Sequence, residues 1–200
     1  VEFIQAAEKY NRMRSVDRWV INQFFAWLEN HHEELEGTGF SINLSAQSLD
    51  DATFPIFINN HLERSPFPSD RLTFEITETS LVKHIDESRL LVEEMKSKGV
   101  RFSLDDFGTG YSSYSYLKDF PVDVVKIDGV FVQDMLTESS SYAMVKSITE
   151  ISHHMGKKVV AEYVENEAIL VALRELEVDF AQGFVVGHPV PIRNLLKEYV

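Results

Sequence analysis

A regular alternation of short, β-rich apolar runs with longer amphipathic segments constrains the fold of this chain more than any other feature. Six runs are strand candidates, at residues 40–45, 72–77, 101–106, 122–128, 158–164 and 180–186. Strands that alternate with helices are typical of βαβ units and of a parallel sheet. The sequence therefore predicts an α/β fold.

Segments with helical periodicity separate these runs. In residues 86–99 the apolar side chains fall on one helical face, and Gly99 is a typical C-terminal stop. Similar patterns predict helices over 140–156 and 166–178. The first 36 residues also have a helical pattern, with an interruption near 11–15.

Composition and charge narrow the function classes. The chain has 200 residues with 44% hydrophobic content and no linker rich in Pro, Gly or Ser, so we expect a single domain over residues 1–200. Its formal net charge of −13 predicts no general binding to nucleic acids, because a basic patch that would attract phosphates is lacking. The absence of cysteine, of a signal-peptide pattern and of a long apolar run indicates a cytoplasmic protein without a membrane segment.

Polar side chains mark the carboxyl end of each predicted strand. One such residue would be an ordinary turn or cap residue, but all six strands carry one. In parallel α/β folds the carboxyl ends of the strands converge, so side chains that are distant in sequence share a pocket. The candidates are Asn43, Glu75, Asp105, Asp106, Lys126, Glu162 and Gln182.

Four of these candidates are carboxylates, and together they predict a metal site. Carboxylates in a small volume repel one another, so some must be protonated or neutralised by cations. Oxygen ligands without Cys or His suit hard cations such as Mg²⁺ or Mn²⁺. The adjacent Asp105 and Asp106 predict two ions, about 3.5–4 Å apart and bridged by one carboxylate, as in two-metal phosphoryl-transfer sites.

Glycines follow the paired aspartates in the stretch DFGTG. Gly108 and Gly110 allow backbone angles that other residues avoid, so a loop over 107–113 could fold tightly above the metals. A phosphate-binding glycine loop is the alternative. The stretch lacks the remaining spacing of a dinucleotide or P-loop fingerprint, which argues against that alternative.

The ordered motifs SINLS, TFEITET, LDDFGTGYSS, VVKID, AEYVEN and AQGF resemble those of the EAL domain family of cyclic di-GMP phosphodiesterases. The similarity covers essentially the whole chain and rests on the order and family-like spacing of all these motifs. It implies a modified TIM-type (β/α)₈ barrel. It also implies hydrolysis of one phosphodiester bond of cyclic di-GMP to give linear pGpG, with Mg²⁺ or Mn²⁺ as cofactor.

The resemblance implies a metal-binding role for most of the candidates. Asn43, Glu75 and Asp105 would bind one ion, while Asp105 would be shared and Asp106 would serve the second ion. Glu162 would be either a ligand of the second metal or the general base.

For the remaining residues the resemblance implies roles in catalysis, substrate binding and loop anchoring. Lys126 would orient or assist the water nucleophile. Gln182 would bind the substrate phosphate or its water network. The loop over 107–113 would be anchored by Glu78, Glu165, Gly108 and Gly110.

The chain departs from the family pattern at several positions. Asn166 stands where Thr is common, and GHPVP (187–191) replaces a more familiar ending. Tyr163 stands where a glycine is usual. The signature Glu-Ala-Leu strand, which supplies another metal ligand, is absent from these 200 residues, as is the Arg that accompanies it. We therefore expect a domain that is incomplete at its N-terminus, lacks the first two barrel strands and hydrolyses cyclic di-GMP poorly or not at all. Restoring roughly 45 upstream residues should recover activity.

Two other functions remain open from the sequence. A catalytically silent cyclic di-GMP receptor or regulatory module would share the fold, although the intact candidate set counts against it. A different metal-dependent barrel enzyme, such as an enolase-type proton abstractor, also places acids and a lysine at strand ends, but the paired aspartates and the GTG loop argue against it. As partners, the resemblance implies cyclic di-GMP and a GGDEF or sensory domain in the parent protein, and it allows a homodimer.

Overall fold

The structure is a computed structural model that describes residues 2–35, 37–83, 85–109 and 114–198. The described strands are β1 (Phe40–Leu44), β2 (Leu72–Thr77), β3 (Arg101–Phe107), β4 (Val124–Ile127), β5 (Lys158–Ala161) and β6 (Phe180–Ala181). The described α-helices are α1 (Glu2–Lys9), α2 (Met13–His31), α3 (Ala46–Leu49), α4 (Phe54–Leu62), α5 (Glu78–Lys83), α6 (Ile85–Ser97), α7 (Tyr114–Asp119), α8 (Gly129–Asp134), α9 (Ser139–His154), α10 (Glu167–Glu175) and α11 (Leu195–Glu198). Short 3₁₀ segments cover His32–Leu35, Ser69–Arg71 and Ile192–Asn194.

Strand pairing follows the order of the chain, β1-β2-β3-β4-β5-β6, in one sheet. Pairing is parallel between β1 and β2, between β4 and β5, and between β5 and β6. Helices lie between successive strands along the sequence. The predicted α/β alternation is therefore confirmed.

Four strands are shorter than the sequence predicts. β1 ends at Leu44 rather than at 45, and β4 covers Val124–Ile127 rather than 122–128. β5 ends at Ala161 rather than at 164, because Tyr163 adopts a left-handed φ of 53° that interrupts the extended backbone. β6 ends at Ala181 rather than at 186. There the chain turns at Gly183, whose carbonyl accepts hydrogen bonds from the amides of Val186 and Gly187 at 3.0 Å each.

The helical pattern of the first residues is interrupted where the sequence predicts. α1 ends at Lys9 and α2 begins at Met13. Asn11 lies between them with a left-handed φ of 52°, a region that Asn tolerates better than most residues. The left-handed conformation of this residue interrupts the right-handed helical backbone and separates the two helices.

The chain divides into two compact units, which are described separately. The first comprises Val1–Leu104 and Ser115–Val122, and the second comprises Asp105–Tyr114 and Asp123–Val200. No helix within the described ranges is long and apolar enough to cross a bilayer.

Aromatic side chains fill much of the core of the first unit. Phe40 of β1 meets Phe24 and Phe67 edge to face, with ring centroids 5.3 and 5.7 Å away. Phe74 of β2 is fully buried and meets Phe54 at 6.2 Å in the same orientation. Such edge-to-face pairs add to the free energy of burying the rings. They hold β1 and β2 against the helices of this unit.

A buried carboxylate fixes the chain where β1 ends. Asp17 of α2 accepts hydrogen bonds from the amide and hydroxyl of Ser45, at 2.9 and 2.6 Å, and from the Ser48 hydroxyl at 2.7 Å. Hydrogen bonds to a charged acceptor are stronger than neutral ones. The residues just after β1 are therefore held firmly to α2.

The second unit is built on the paired strands β4, β5 and β6. Val124 to Ile127 lie opposite Lys158 to Ala161 in register, and Val160 and Ala161 lie opposite Phe180 and Ala181. Helix α9 contacts both β4 and β5. Its Val145 and Ile148 are fully buried. This packing brings the carboxyl ends of the three strands side by side.

Candidate metal centre

Three carboxylates form a cluster in the second unit. Asp105 and Asp106 lie near the end of β3, and Glu162 directly follows β5. One oxygen from each carboxylate lies within 4.8 Å of the others. Each of these residues was predicted as a metal ligand, and the structure places the three together.

Lys126 of β4 lies among these carboxylates. Its Nζ atom is 2.7 Å from Glu162 Oε1 and 2.9 Å from Asp105 Oδ1. The lysine side chain is only 4% exposed, so water screens both contacts weakly. One positive charge thus opposes three carboxylates, and the cluster keeps an excess of negative charge that a cation would offset.

Asp105 Oδ1 is unusual among the carboxylate oxygens of the cluster. This buried oxygen receives no hydrogen bond of acceptable geometry from the described residues, although Lys126 Nζ lies 2.9 Å away. The contact with Lys126 is therefore one of charge alone. Burying a carboxylate oxygen without a hydrogen bond costs free energy of folding, unless an ion or a water molecule interacts with that oxygen. The donor set and this oxygen both fit a hard divalent cation.

The electrostatics of the cluster reflect this excess charge. Burial raises the pKa of Asp106, the charges of Asp105 and Asp128 raise it further, and Lys126 opposes them in part. Burial likewise raises the pKa of Glu162, with Asp105 and Asp106 adding to the rise against the hydrogen bond and charge of Lys126. Both carboxyl groups therefore hold a proton more readily than they would in water.

Backbone hydrogen bonds set the positions of the residues after β5 and β6. The Glu162 amide donates to the Ile127 carbonyl at 3.2 Å, and the Gln182 amide donates to the Ala161 carbonyl at 2.8 Å. The ladder thus continues beyond the strands and places Glu162 beside the end of β4. Gln182, the predicted substrate-binding residue, lies on the wall of the same cavity as Glu162.

The turn after Asp105 has a left-handed backbone. Asp106 has a φ of 56° and Gly108 a φ of 106°. Asp tolerates this region, whereas a φ of 106° favours glycine. A Cβ on Gly108 would also come within 2.7 Å of the Phe131 ring. Gly108 is therefore needed for both its backbone angle and its small size, while Gly110 lies outside the described residues.

A cavity of about 460 Å³ opens over the cluster. Its lining includes the carboxylates Asp105, Asp106 and Glu162 and the aromatic residues Tyr163 and Phe184. The two aromatic residues are 60% and 57% exposed. The cavity lining therefore combines charged groups, suited to a phosphate with its cations, and apolar groups.

The predicted ligands Asn43 and Glu75 belong to the first unit. They lie directly opposite each other in the parallel register of β1 and β2. Glu75 is buried, and Asn43 is exposed. The two candidates thus occupy adjacent positions near the ends of neighbouring strands.

The predicted loop anchors are in different places. Glu78 begins α5 in the first unit and is buried. Glu165 lies on the cavity wall in the second unit, where its Oε1 accepts a hydrogen bond from Gln133 Nε2 at 3.3 Å. Residues 110–113 of the loop that they were predicted to anchor lie outside the described residues.

Sequence reasoning missed the contribution of Asp128. Its Oδ1 accepts a hydrogen bond from the Val130 amide at 2.8 Å and caps α8. Its charge also raises the pKa of Asp106. The signal was present in the sequence KIDG, where an Asp follows a strand and begins a helix. That pattern predicts a helix cap and gives no indication of the charge acting on Asp106.

Fold and site together define an α/β protein with a cluster of carboxylates near the carboxyl ends of parallel strands. The profile described as EAL domain matches residues 1–189. The chain therefore belongs to the EAL domain family, as its motifs predict.

Individual relatives and solved structures agree with this assignment. The cyclic di-GMP phosphodiesterase PdeB of Shewanella oneidensis is 36% identical over 99% of this chain and 23% of its own length. The cyclic di-GMP phosphodiesterase PdeF of Escherichia coli is 33% identical over 98% of this chain and 26% of its own length. This chain thus spans about a quarter of the length of these relatives.

The solved structures show the same fold. The PaMucR phosphodiesterase in complex with c-di-GMP aligns with a TM-score of 0.87 and 33% identity, covering 97% of this chain and 79% of that one. The FimX EAL domain from Pseudomonas aeruginosa, bound to c-di-GMP, aligns with a TM-score of 0.86 and 26% identity, covering 94% and 75%. The predicted α/β fold, related to the TIM-type barrel of this family, is thereby confirmed.

Proposed function

We propose that this chain is an EAL-type domain of a metal-dependent phosphodiesterase that hydrolyses cyclic di-GMP to linear pGpG. The relatives named above are cyclic di-GMP phosphodiesterases, and two of the similar structures contain c-di-GMP. The observation that carries the proposal is the carboxylate cluster, with a buried Asp105 oxygen that has no hydrogen bond from the described residues.

The cluster is proposed to bind two divalent cations, Mg²⁺ or Mn²⁺. Asp105, Asp106 and Glu162 supply oxygen ligands, and the resemblance adds Asn43 and Glu75 to the set. Cations of this kind make water more acidic and offset the charge of a phosphate under attack. With a net charge of −13, the chain needs such cations to receive an anionic dinucleotide.

Lys126 acts in this proposal by holding two carboxylates in place. Its contacts of 2.7 and 2.9 Å fix the orientations of Glu162 and Asp105 relative to each other. Because the lysine is buried among acids, its positive charge would also assist the attack of water on the phosphate.

Glu162 has two candidate roles, as general base and as ligand of the second metal. A raised pKa brings a carboxylate closer to the pH at which it can accept a proton effectively. As base, it would take a proton from water while the water oxygen bonds to phosphorus. The bond between phosphorus and the 3′ oxygen then breaks, and the 3′ oxygen takes up a proton from Glu162 or from solvent to give pGpG.

The remaining residues act on the substrate and the loop. Gln182 offers an amide on the cavity wall and would donate a hydrogen bond to the phosphate or to its water network. Glu78, Glu165, Gly108 and Gly110 are proposed to position the loop beside the cluster.

The test replaces Asp106 with Asn in the intact protein that contains this domain. The amide preserves the shape but removes a charge required to hold a cation, so turnover of cyclic di-GMP should fall by at least about 100-fold. Product is detected by mass as pGpG, with Mg²⁺ or Mn²⁺ present. Circular dichroism should show that the variant remains folded.

The matched control is Asp134→Asn, the same chemical change at an exposed position near the end of α8. It should leave turnover unchanged. Normal turnover in Asp106→Asn would remove this residue from the metal site. Binding of cyclic di-GMP by the unaltered protein without conversion would instead identify a receptor or regulatory module.

A further inference from the structure

Tyr163 has a backbone conformation that is unusual for its size. It directly follows Glu162 and has a left-handed φ of 53°. Glycine adopts this region freely, whereas a bulky side chain does so at a cost in free energy. Residues in such conformations concentrate at functional sites, where the surrounding structure maintains them.

The ring of Tyr163 lies directly against the backbone at the start of α8. A Cβ added to Gly129 would fall 2.2 Å from Cδ2 and 2.6 Å from Cγ of this ring. The absence of a side chain at Gly129, which is itself buried, makes room for the tyrosine. The ring is therefore supported on one side and has a defined position.

The rest of the Tyr163 side chain is open to the cavity. The residue is 60% exposed and lines the same cavity as Asp105, Asp106 and Glu162. Among the described residues that line this cavity, none is a lysine or an arginine. The acidic cluster can recognise a phosphate through cations. It offers little that recognises the base, so it would not distinguish a nucleotide from a phosphodiester that has no base.

We propose that Tyr163 is a specificity-determining residue whose ring stacks on a purine base of the dinucleotide while its phosphodiester is held at the carboxylate cluster. This inference rests on the proposed function and specifies which part of the substrate the cavity recognises. An aromatic ring provides a flat apolar face for a base, and such stacking typically changes affinity by about 5- to 100-fold. The support from Gly129 keeps the ring in place before the substrate binds, so less conformational freedom is lost on binding.

The first experiment compares cyclic di-GMP with its abasic analogue, the same cyclic sugar–phosphate ring without either base, in the intact protein. Tyr163→Gly removes the ring, and Tyr163→Leu keeps the bulk and the backbone strain but has no aromatic face. In both variants, the ratio of kcat/KM for cyclic di-GMP to kcat/KM for the baseless substrate should fall by about 10-fold, mainly through KM. Tyr163→Phe should keep the ratio of the unaltered protein.

The second experiment moves the ring without removing it. Gly129→Ala adds a Cβ into the position that the Tyr163 ring occupies, and the φ of Gly129 is not in the left-handed region, so alanine suits the backbone. This variant should lower the same ratio. In a Tyr163→Gly background, Gly129→Ala should lower it no further, because the two changes act through one ring.

Titration calorimetry with cyclic di-GMP provides a readout that does not depend on turnover. Tyr163→Gly and Tyr163→Leu should raise the Kd by about 10-fold, and Tyr163→Phe should not. Binding without hydrolysis would refute the proposed phosphodiesterase activity and leave the stacking inference to be decided by these Kd values. Equal effects of the variants on both substrates, a rise in activity on removing the ring, or an unchanged Kd would each overturn the inference.

Discussion

Replacing Asp179 tests how the frame of the second unit is held together. The residue lies immediately before β6, and its carboxylate accepts three hydrogen bonds. Oδ2 accepts from the Val159 amide at 2.9 Å and contacts His153 Nε2 at 2.8 Å, and Oδ1 accepts from Lys158 Nζ at 2.6 Å. One carboxylate therefore joins α9, β5 and the start of β6, at the opposite end of the strands from the acidic cluster.

The cost of removing this carboxylate follows from its individual contacts. The Lys158 side chain is 64% exposed, so that ion pair contributes only about 0.5 kcal/mol. The hydrogen bond from the Val159 amide matters more. Without the carboxylate, this partly buried amide has lost its charged acceptor, at a cost of about 1.5–2 kcal/mol. With about 0.5–1 kcal/mol from His153, Asp179→Ala should lower the free energy of unfolding by about 3 kcal/mol. Asp179→Asn keeps one acceptor oxygen and should cost about half as much.

The pH dependence of this effect has a defined sign. Although burial alone would raise the pKa of Asp179, hydrogen bonds from Lys158, His153 and the Val159 amide outweigh it and lower the pKa below the ordinary value of 3.8. The stabilisation is therefore fully present above pH 3.8 and is lost as the pH falls through the lower folded-state value. The difference in stability between the unaltered protein and Asp179→Asn should shrink in that acidic range.

The assay is urea unfolding followed by far-UV circular dichroism. Fluorescence is unsuitable, because Trp19 and Trp27 are the two tryptophans of the chain and both belong to the first unit. Hydrogen exchange at the Val159 amide gives a local readout and should become faster in both variants. If Asp179→Ala unfolds within about 0.5 kcal/mol of the unaltered protein with normal exchange at Val159, the carboxylate does not hold these strands.

Two further predictions concern a glycine and a surface carboxylate. Gly183→Ala would place its Cβ 2.3 Å from the backbone N and O of Val164. Because backbone atoms cannot rotate away, we expect the free energy of unfolding, measured by thermal unfolding, to fall by more than about 2 kcal/mol. The control Gly156→Ala, at a φ of 71° with open space around it, should cost only about 1 kcal/mol. Hydrogen bonds from Thr53 and Arg18 overcome the effect of burial and lower the pKa of Asp51 to about 2, so Asp51→Asn should cost about 1 kcal/mol at neutral pH. This deficit should disappear between about pH 4 and pH 2 in acid titrations of stability, and an equal deficit at both ends would contradict the assignment.

The alternation of elements was predictable because it depends on local patterns. β2 has the bounds that its sequence predicts, 72–77, since its apolar residues alternate strictly with polar ones, as in a strand. The run at 180–186 is also rich in apolar residues, yet Phe184 and Val186 are 57% and 59% exposed and the strand ends at Ala181. Periodicity reports where apolar residues occur along the chain and does not reveal which of them have a partner strand to cover them.

The placement of Asp105, Asp106, Lys126 and Glu162 together was also predictable, because the carboxyl ends of parallel strands lie side by side. Details that depend on single torsion angles were not predictable. The missing hydrogen bond of Asp105 Oδ1 and the support of the Tyr163 ring by Gly129 require particular side-chain and backbone conformations. No pattern of residue types encodes those conformations.

The crowding of acids around one lysine means that folding and chemistry make opposing demands on the same few positions. Oxygens of three carboxylates lie within 4.8 Å of one another. The rest of the molecule must offset their repulsion, as proteins offset other unfavourable interactions at functional sites. Laboratory evolution for heat resistance alone would therefore tend to replace these acids by amides, yielding more stable proteins that lack the proposed metal ligands. The acids identify the positions where a thermostabilised variant should be left unchanged.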